Sequence, residues 1–421
     1  MEFTESSIYE FIKANDVKFI RLGFCDVFGG QKNISVMPEM FLKAIDEGIP
    51  FDAAAVDGFL DMEKADLYLK PDLKTFSLVP WRSHSETVIR FLSDITKSDG
   101  SDFEGCSRNI LKKVKRAAKD MGFSCNIGVN CEFYLFENDA AGYPTKTPID
   151  DAGYFDISPL DKGEDIRRDI CLTLEKMGIR PETSHHEQGP GQNEINFKYS
   201  DLLTTADNFM TFKWVVSTIA ARSGASAVFD PKPLDNKNGN GMHIKLTLVK
   251  DGENIFKLKN GELGETAKHF IAGVMEKIPE TTLFLNSVES SYDRLGRFTA
   301  PAHISWSYYN RSRLIRINAE KDFCHMELRS PDPVCNTYLA FALTLAAGLE
   351  GIENKLELCP PYDEKLSQQK AAKRLPSSLA EAVRLAENSQ FLKRVIPEKV
   401  LSKYIEVKRE TGDLVRESFL D

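Results

Sequence analysis

None of the eight cysteines, at 25, 106, 125, 131, 171, 324, 335 and 359, forms a CxxC pair. A disulfide framework is not expected in a chain this long, and reduced thiols are the better reading. The start, MEFTESSIYEFIK, offers neither a basic region nor the apolar stretch of a signal peptide. The longest apolar run, Tyr338 to Leu349, is too short to span a bilayer. Positive charge is not in excess: 54 Lys and Arg stand against 63 Asp and Glu, for a net charge of −9. That balance argues against nucleic acid as the main partner. There is no Walker A sequence and no kinase glycine loop, which excludes a P-loop fold. Internal repeats and low-complexity segments are also missing. What remains is a cytoplasmic globular protein of two or three domains, with ordinary proportions of 42% hydrophobic and 28% charged residues.

Residues 1–14 predict a short amphipathic helix with Ile8, Phe11 and Ile12 on one face. Short strands follow, such as Lys18–Phe24 and Glu86–Leu92, with turn signals at Gly29-Gly30 and near Pro71. The polar, aperiodic stretch Thr96–Gly105 is the best boundary between domains. Beyond it, Ser107 can cap a helix that Gly122 stops. In Lys112–Lys119 the basic residues read as a solvated helix face, with Ile110, Val114 and Ala118 inward. Cys125–Glu137 alternates as a strand, and Glu132 lies in it as a carboxylate among apolar neighbours. Such a group must be paired, protonated or metal-bound. Glu164–Gly178 and Thr205–Arg222 predict helices. Met242–Val249 predicts a strand with His243, Lys245 and Thr247 on one face, and Asn238-Gly239-Asn240-Gly241 before it is a hairpin signal. Arg311, Arg316, Glu327 and Arg329 fall in strand contexts, where arginines make good anion clamps. Pro331 and Pro333 precede a long Ala/Leu helix, and the tail from Ser377 holds two more helical patterns.

The densest stretch is His185-His186-Glu187-Gln188-Gly189-Pro190-Gly191-Gln192-Asn193-Glu194. A Gly-Pro-Gly turn can carry Glu187 and Glu194 back toward one another. Converging carboxylates repel unless a hard cation such as Mg²⁺ or Mn²⁺ lies between them. A polar surface turn fits the same residues. Pooling strand faces gives Glu132, Glu187, Glu194, His243 and Glu327 as metal-type ligands, and Arg294, Arg311, Arg316 and Arg329 as anion ligands. That set suits a nucleotide-phosphate site with two divalent ions.

GIRPETSHHEQGPGQNEINFKY resembles the metal-binding core of type I glutamine synthetases. RLGFCDVFGGQKN at 21–33, NGNGMH at 238–243, NRSRLIRI at 310–317 and ELRSPDPVCN at 327–336 match further segments in the family's order. The resemblance implies an α+β fold. A small N-terminal β-grasp domain (1–104) would precede a catalytic domain (105–421) with a curved antiparallel sheet flanked by helices. It implies an ATP-dependent ligase that makes γ-glutamyl phosphate from glutamate and aminates it with ammonia or a small amine. Glu132, Glu187 and Glu194 match the ligands of the metal beside the acyl phosphate. His243 and Glu327 match those of the ATP-side metal, with Asn130 as a weak third. Two to three Mg²⁺ or Mn²⁺ ions per site are implied. Asn238 and Gly239 match the glutamate-binding turn, and Arg294 and Arg329 its carboxylate-binding arginines. Arg311 and Arg316 match phosphate contacts, and Glu182, Tyr199 and Thr247 the nucleotide site. Asp52 matches an aspartate lent to the neighbouring subunit, which implies stacked hexameric rings.

The sequence departs from the family at several places. The family's ExE signature reads Asn130-Cys131-Glu132, and its DGSS loop reads Asp52-Ala53-Ala54-Ala55. Thr299 stands at the flap glutamate, Tyr309 replaces an arginine, and the segment after Pro360-Pro361 is abbreviated. These changes fall mainly on the ammonia half of the reaction. They keep open an amine larger than ammonia, or a weakened member with an assembly or regulatory role.

Overall fold

The structure, a computed structural model, describes residues 3–59, 66–81, 87–320, 323–362 and 373–417. The N-terminal strands are β1 (Val17–Cys25), β2 (Gln31–Val36), β3 (Ile49–Asp52), β4 (Asp66–Pro71), β5 (Ser77–Leu78) and β6 (Thr87–Thr96). They form one sheet in the order β2-β1-β6-β4-β3, with β5 on β6 and β1 parallel to β6. The helix Glu5–Ala14 packs Ile8 and Ile12 onto this sheet, against Ile20, Leu22 and Phe91. The predicted 1–14 helix thus starts at Glu5, where the Thr4 hydroxyl accepts from Ser7 N and caps it. Pro71 ends β4 rather than marking a turn, and β6 runs on to Thr96, into the predicted boundary stretch.

The second sheet has ten strands: β7 (Phe123–Asn138), β8 (Pro144–Pro148), β9 (Pro181–His186), β10 (Gln192–Asp201), β11 (Ala225–Val228), β12 (Met242–Lys250), β13 (Glu253–Asn254), β14 (Trp306–Ser307), β15 (Ile315–Glu320) and β16 (Phe323–Leu328). Its spine runs β14-β15-β16-β12-β7-β10-β9, and every pairing on it except β14–β15 is antiparallel. The alternation of β7 is as the sequence predicts. Ile127, Val129, Cys131, Phe133 and Leu135 are fully buried against helices, with Phe197, Ile244 and Leu328 of neighbouring strands. Each such aliphatic or aromatic side chain contributes roughly 1.5–3 kcal/mol by leaving water. The opposite face is therefore free to carry polar chemistry.

The helices supporting the apolar face include Ser107–Asp120, Leu202–Arg222, Glu265–Leu285 and Thr337–Glu353. Cys106, not Ser107, occupies the cap position of the first, so the predicted cap lies one residue too late. Ile110, Val114 and Ala118 turn inward as expected. Three helices rather than two follow Ser377: Leu379–Glu387, Gln390–Val395 and Glu398–Glu417. The two sheets are tied through Arg108, buried between Asp72 and Asp94 of the first unit and Asp207 of the second. Asn336, capping the helix Thr337–Glu353, also donates to the carbonyls of Asp26 and Val27.

Candidate active site

A cleft of about 340 Å³ opens on the polar face of the larger sheet. Glu132 on β7 and Glu194 on β10 are paired across the strands, and Glu187 begins the loop joining β9 to β10. That loop is tight: Glu187 N donates to Gln192 O at 2.7 Å and Gln192 N to Gly189 O at 3.0 Å. Gly191, at φ +64°, presents its N–H to Asp150 Oδ1 at 2.8 Å. The same oxygen meets His186 Nε2 at 3.0 Å, while His186 Nδ1 meets Glu187 O at 2.7 Å. Both partners of the imidazole are acceptors. Burial alone would lower its pKa, but Asp150 and the Glu187 carbonyl raise it, so a buried His186–Asp150 pair pins the loop from behind.

At the three carboxylates burial and like charge outweigh the cations nearby, Arg294 at Glu132, Arg311 at Glu187 and Lys245 at Glu194. Burial, then Glu194 and Glu187, push Glu132 up to about 8. Burial and Glu194 push Glu187 up to about 7, and Glu194 is raised as well, with burial the main cause. His185 faces them, its Nε2 3.8 Å from Glu194 Oε1 and 3.9 Å from Glu187 Oε1. One ligand atom from each of His185, Glu187 and Glu194 lies within 4.8 Å of the others. Two carboxylates and an imidazole at this spacing, with Glu132 across the strand from Glu194, fit a hard divalent cation, whose charge would remove the repulsion. His185 was not assigned as a ligand from sequence. Its place opposite Glu194 follows only from the β9–β10 register.

His243 on β12 and Glu327 on β16 meet on the other side, with His243 Nδ1 3.5 Å from Glu327 Oε1. Here the balance is reversed. Arg329 donates to Glu327 Oε1 at 2.6 Å and Arg316 to Oε2 at 3.0 Å. Burial would raise Glu327, but Arg329, His243, Lys245 and Arg316 hold it down to about 2. Burial and Arg329 keep His243 well below the usual imidazole range, hence neutral and able to ligate. Asn130, in register with His243, donates its Nδ2 to Glu194 Oε1 at 3.1 Å. Its amide thus serves the carboxylate cluster as a donor, and only its carbonyl remains for a cation.

Asn238-Gly239-Asn240-Gly241 is not a hairpin. It leads into β12, which pairs with β7 and β16. Buried Asn240 donates to the carbonyls of Val228 and Asp230. Close approach explains the glycines: a Cβ on Gly239 would lie 2.3 Å from Pro231 O, and one on Gly241 2.8 Å from Arg294 Nη2. Asn238 is held to the Glu187 loop through Gln188 Oε1 at 3.0 Å, and its carbonyl accepts from Tyr134 Oη at 2.6 Å. Buried Arg294 lies beside this turn, donating to Ser330 O and Arg329 O. Asn238, Gly239, Arg294, Glu132, Glu187 and Thr299 line one small pocket.

Tyr199 lies over Gly128, where any Cβ would fall 2.6 Å from its ring. Thr247 is buried two residues along the strand from Lys245. Glu182 is the extra residue of a bulge in β9 and is exposed. Exposed Arg311 lines the cleft with Tyr154, which stacks on Phe155 at 4.0 Å. Asp52 is not brought in. It is exposed at the end of β3, accepts from Ala54 N at 2.9 Å, and lines neither pocket of its own chain. Tyr309 is 78% exposed, and most of the segment after Pro360-Pro361 lies outside the described residues.

Residues 16–98 match the model of the glutamine synthetase β-grasp domain, and residues 104–419 that of the glutamine synthetase catalytic domain. A glutamine synthetase of Clostridium saccharobutylicum is 42% identical over 98% of this chain and 96% of its own length. Among solved structures, Plasmodium falciparum glutamine synthetase superposes with a TM-score of 0.91 at 24% identity, covering 99% of this chain and 97% of the other, a likeness of fold. A GmaS/ADP complex superposes with a TM-score of 0.87 at 28% identity, over 97% and 96%. Both units match in the same order along nearly the whole chain: the chain belongs to the type I glutamine synthetase family.

Proposed function

We propose that the protein is an ATP-dependent glutamate–ammonia ligase. The observation that carries this reading is the split of one sheet face into a carboxylate cluster (Glu132, Glu187, Glu194) and a cation-rich half (Arg316, Arg329, Lys245 around Glu327). The first half suits a divalent ion beside an acyl group, and the second suits polyphosphate. Bound Mg²⁺ or Mn²⁺ would neutralise phosphate charge and polarise the transferring group.

In this reading Asn238, Gly239, Arg294 and Arg329 hold glutamate with its γ-carboxylate toward Glu187. Tyr199, Thr247 and Glu182 receive the nucleotide, and Arg311 and Arg316 steady the phosphoryl oxygens. The γ-carboxylate oxygen attacks the terminal phosphorus of ATP and ADP leaves. Ammonia, after losing a proton from ammonium, adds to the acyl phosphate and expels phosphate. Glu132, Glu187 and Glu194 would hold one divalent ion, with His185 as an added ligand. His243, Glu327 and the Asn130 carbonyl would hold a second. We read residues 1–104 and 105–421 as the two domains of a cytoplasmic ring-forming enzyme. Asp52, exposed and outside both pockets of its own chain, completes the ammonium pocket of a neighbouring subunit. Stacked hexameric rings would satisfy that arrangement.

A γ-glutamyl-amine synthetase is the second reading, favoured by exposed Thr299, which lines the pocket but offers no carboxylate to accept the ammonium proton. The test is ADP release with glutamate and a panel of ammonium, methylamine and ethanolamine. Glutamate-dependent ADP release that is fastest with ammonium supports the proposal. Release fastest with an alkylamine moves the conclusion to the second reading, and none with any amine refutes both.

A further inference from the structure

Strand register arranges the cleft-facing side chains in rows, and the rows differ in charge. One runs His185–Glu194–Glu132 from β9 to β7. The next runs Thr183–Asn196–Asn130–His243. A third runs Gly128–Lys245–Glu327–Arg316 across β7, β12, β16 and β15. In that third row a single carboxylate sits between two cations, and Arg329 binds it as well. Three cationic side chains therefore surround one carboxylate, which leaves Glu327 no capacity for an ion beyond the one it would share with His243 and Asn130.

Lys245 is half-buried and feels the carboxylates of Glu327, Glu194 and Glu182, yet no carboxylate oxygen among the described residues lies within 4.0 Å of its Nζ. Nearby, Arg316 Nε and Arg329 Nε are buried without an acceptor among the described residues. A withdrawn ammonium with no ion pair, beside two donors with no acceptor, is short of an anion. Asn130, in the adjacent row, supplies an amide and has committed its Nδ2 to Glu194. This half of the cleft thus offers one carboxylate, Glu327, against the side chains of Lys245, Arg316 and Arg329. Its location also fits: the Tyr199 ring covers Gly128 at one end of the row, and Lys245, paired with Gly128, is the next side chain along that row toward Glu327 and Arg316.

We infer that Lys245 stands in for a divalent ion, neutralising the polyphosphate directly, so that the loaded site holds two protein-held ions rather than three. This rests on the ligase reading. No bond is made or broken by Lys245; it is a binding residue for the nucleotide.

The test counts Mn²⁺ bound per protomer by paramagnetic resonance with a saturating non-hydrolysable ATP analogue, and measures the affinity of that analogue by calorimetry. Two ions are expected in the wild type. Lys245→Met should weaken the analogue about 10–100-fold, the loss of one charge-assisted contact, and Lys245→Arg should recover most of it. Asn130→Glu combined with Lys245→Met should bind a third ion. Thermal unfolding of each variant confirms that the fold is kept, and the wild-type count decides even if Lys245→Met does not fold. Three ions in the wild type, or an unchanged affinity in Lys245→Met, overturns the inference and leaves the ligase reading intact. A wild type that binds neither the analogue nor Mn²⁺ overturns the ligase reading itself.

Discussion

Removing the charge of Glu132 should stabilise the metal-free protein near neutral pH, although Glu132 belongs to the machinery. Its folded-state pKa is raised from 4.5 to about 8 by burial and by Glu194 and Glu187. A carboxyl with a raised folded pKa keeps its proton in the native state while the unfolded chain loses it. The native state then binds more protons, and stability falls as pH rises from about 4.5 to about 8. At pH 7.5 the full shift corresponds to about 4 kcal/mol, and solvent access to this partly exposed carboxyl reduces that to about 2–4 kcal/mol. Glu132→Gln keeps an oxygen to accept the Gly241 N–H, now at 2.7 Å, and cannot ionise. In EDTA, with protein concentration fixed, its melting temperature should exceed the wild type's by roughly 2–5 °C at pH 7.5. The difference should shrink toward zero at pH 5. Saturating Mn²⁺ should reverse the order, because the wild type gains a ligand charge that the variant lacks. Parallel stability–pH curves for the two proteins without metal, or a less stable variant at pH 7.5, would refute the electrostatic argument.

Asn130→Glu should lower the stability of the metal-free protein, since it replaces a donor to Glu194 with a like charge; Mn²⁺ should rescue it, and denaturation with and without Mn²⁺ reads both effects. Thr299→Glu should raise kcat/KM for ammonium about 10–100-fold by restoring a proton acceptor at the pocket, while leaving KM for ATP near its wild-type value. Asp52→Ala and Glu187→Gln should each abolish activity. Reassembling the two variants together should restore a fraction of it if Asp52 serves a neighbouring subunit, and mixtures that stay inactive would place Asp52 outside the site. Arg294→Lys should raise KM for glutamate roughly tenfold or more with little change in KM for ATP, because a lysine cannot keep both contacts to Ser330 and Arg329 carbonyls.

Much of the architecture could be read directly because it depends on local periodicity. The β7 alternation puts Ile127 to Leu135 inward and Glu132 outward whatever the rest of the chain does. The helices Glu164–Lys176 and Leu202–Arg222 end at Gly178 and Gly224, as their apolar stripes and glycine stops indicate. Likewise a Gly-Pro-Gly turn between two carboxylates pointed to converging charge before any geometry was known. The NGNG segment misled for a definite reason. A glycine needed for close approach to Pro231 and Arg294 is indistinguishable in sequence from one needed for a tight turn.

What only tertiary structure decided is which side chains face one another across strands distant in sequence. His185 becomes a candidate ligand because the β9–β10 register sets it opposite Glu194. Asn130 turns out to donate to Glu194, a contact across 64 residues of chain. Glu327 and Glu132 are both carboxylates in strands, yet one is held down to about 2 and the other pushed up to about 8. Composition and spacing treat them alike. The difference comes from burial and from whether arginines or carboxylates lie within a few ångströms, and Coulomb interactions in a water-poor cleft depend on those distances, not on sequence separation.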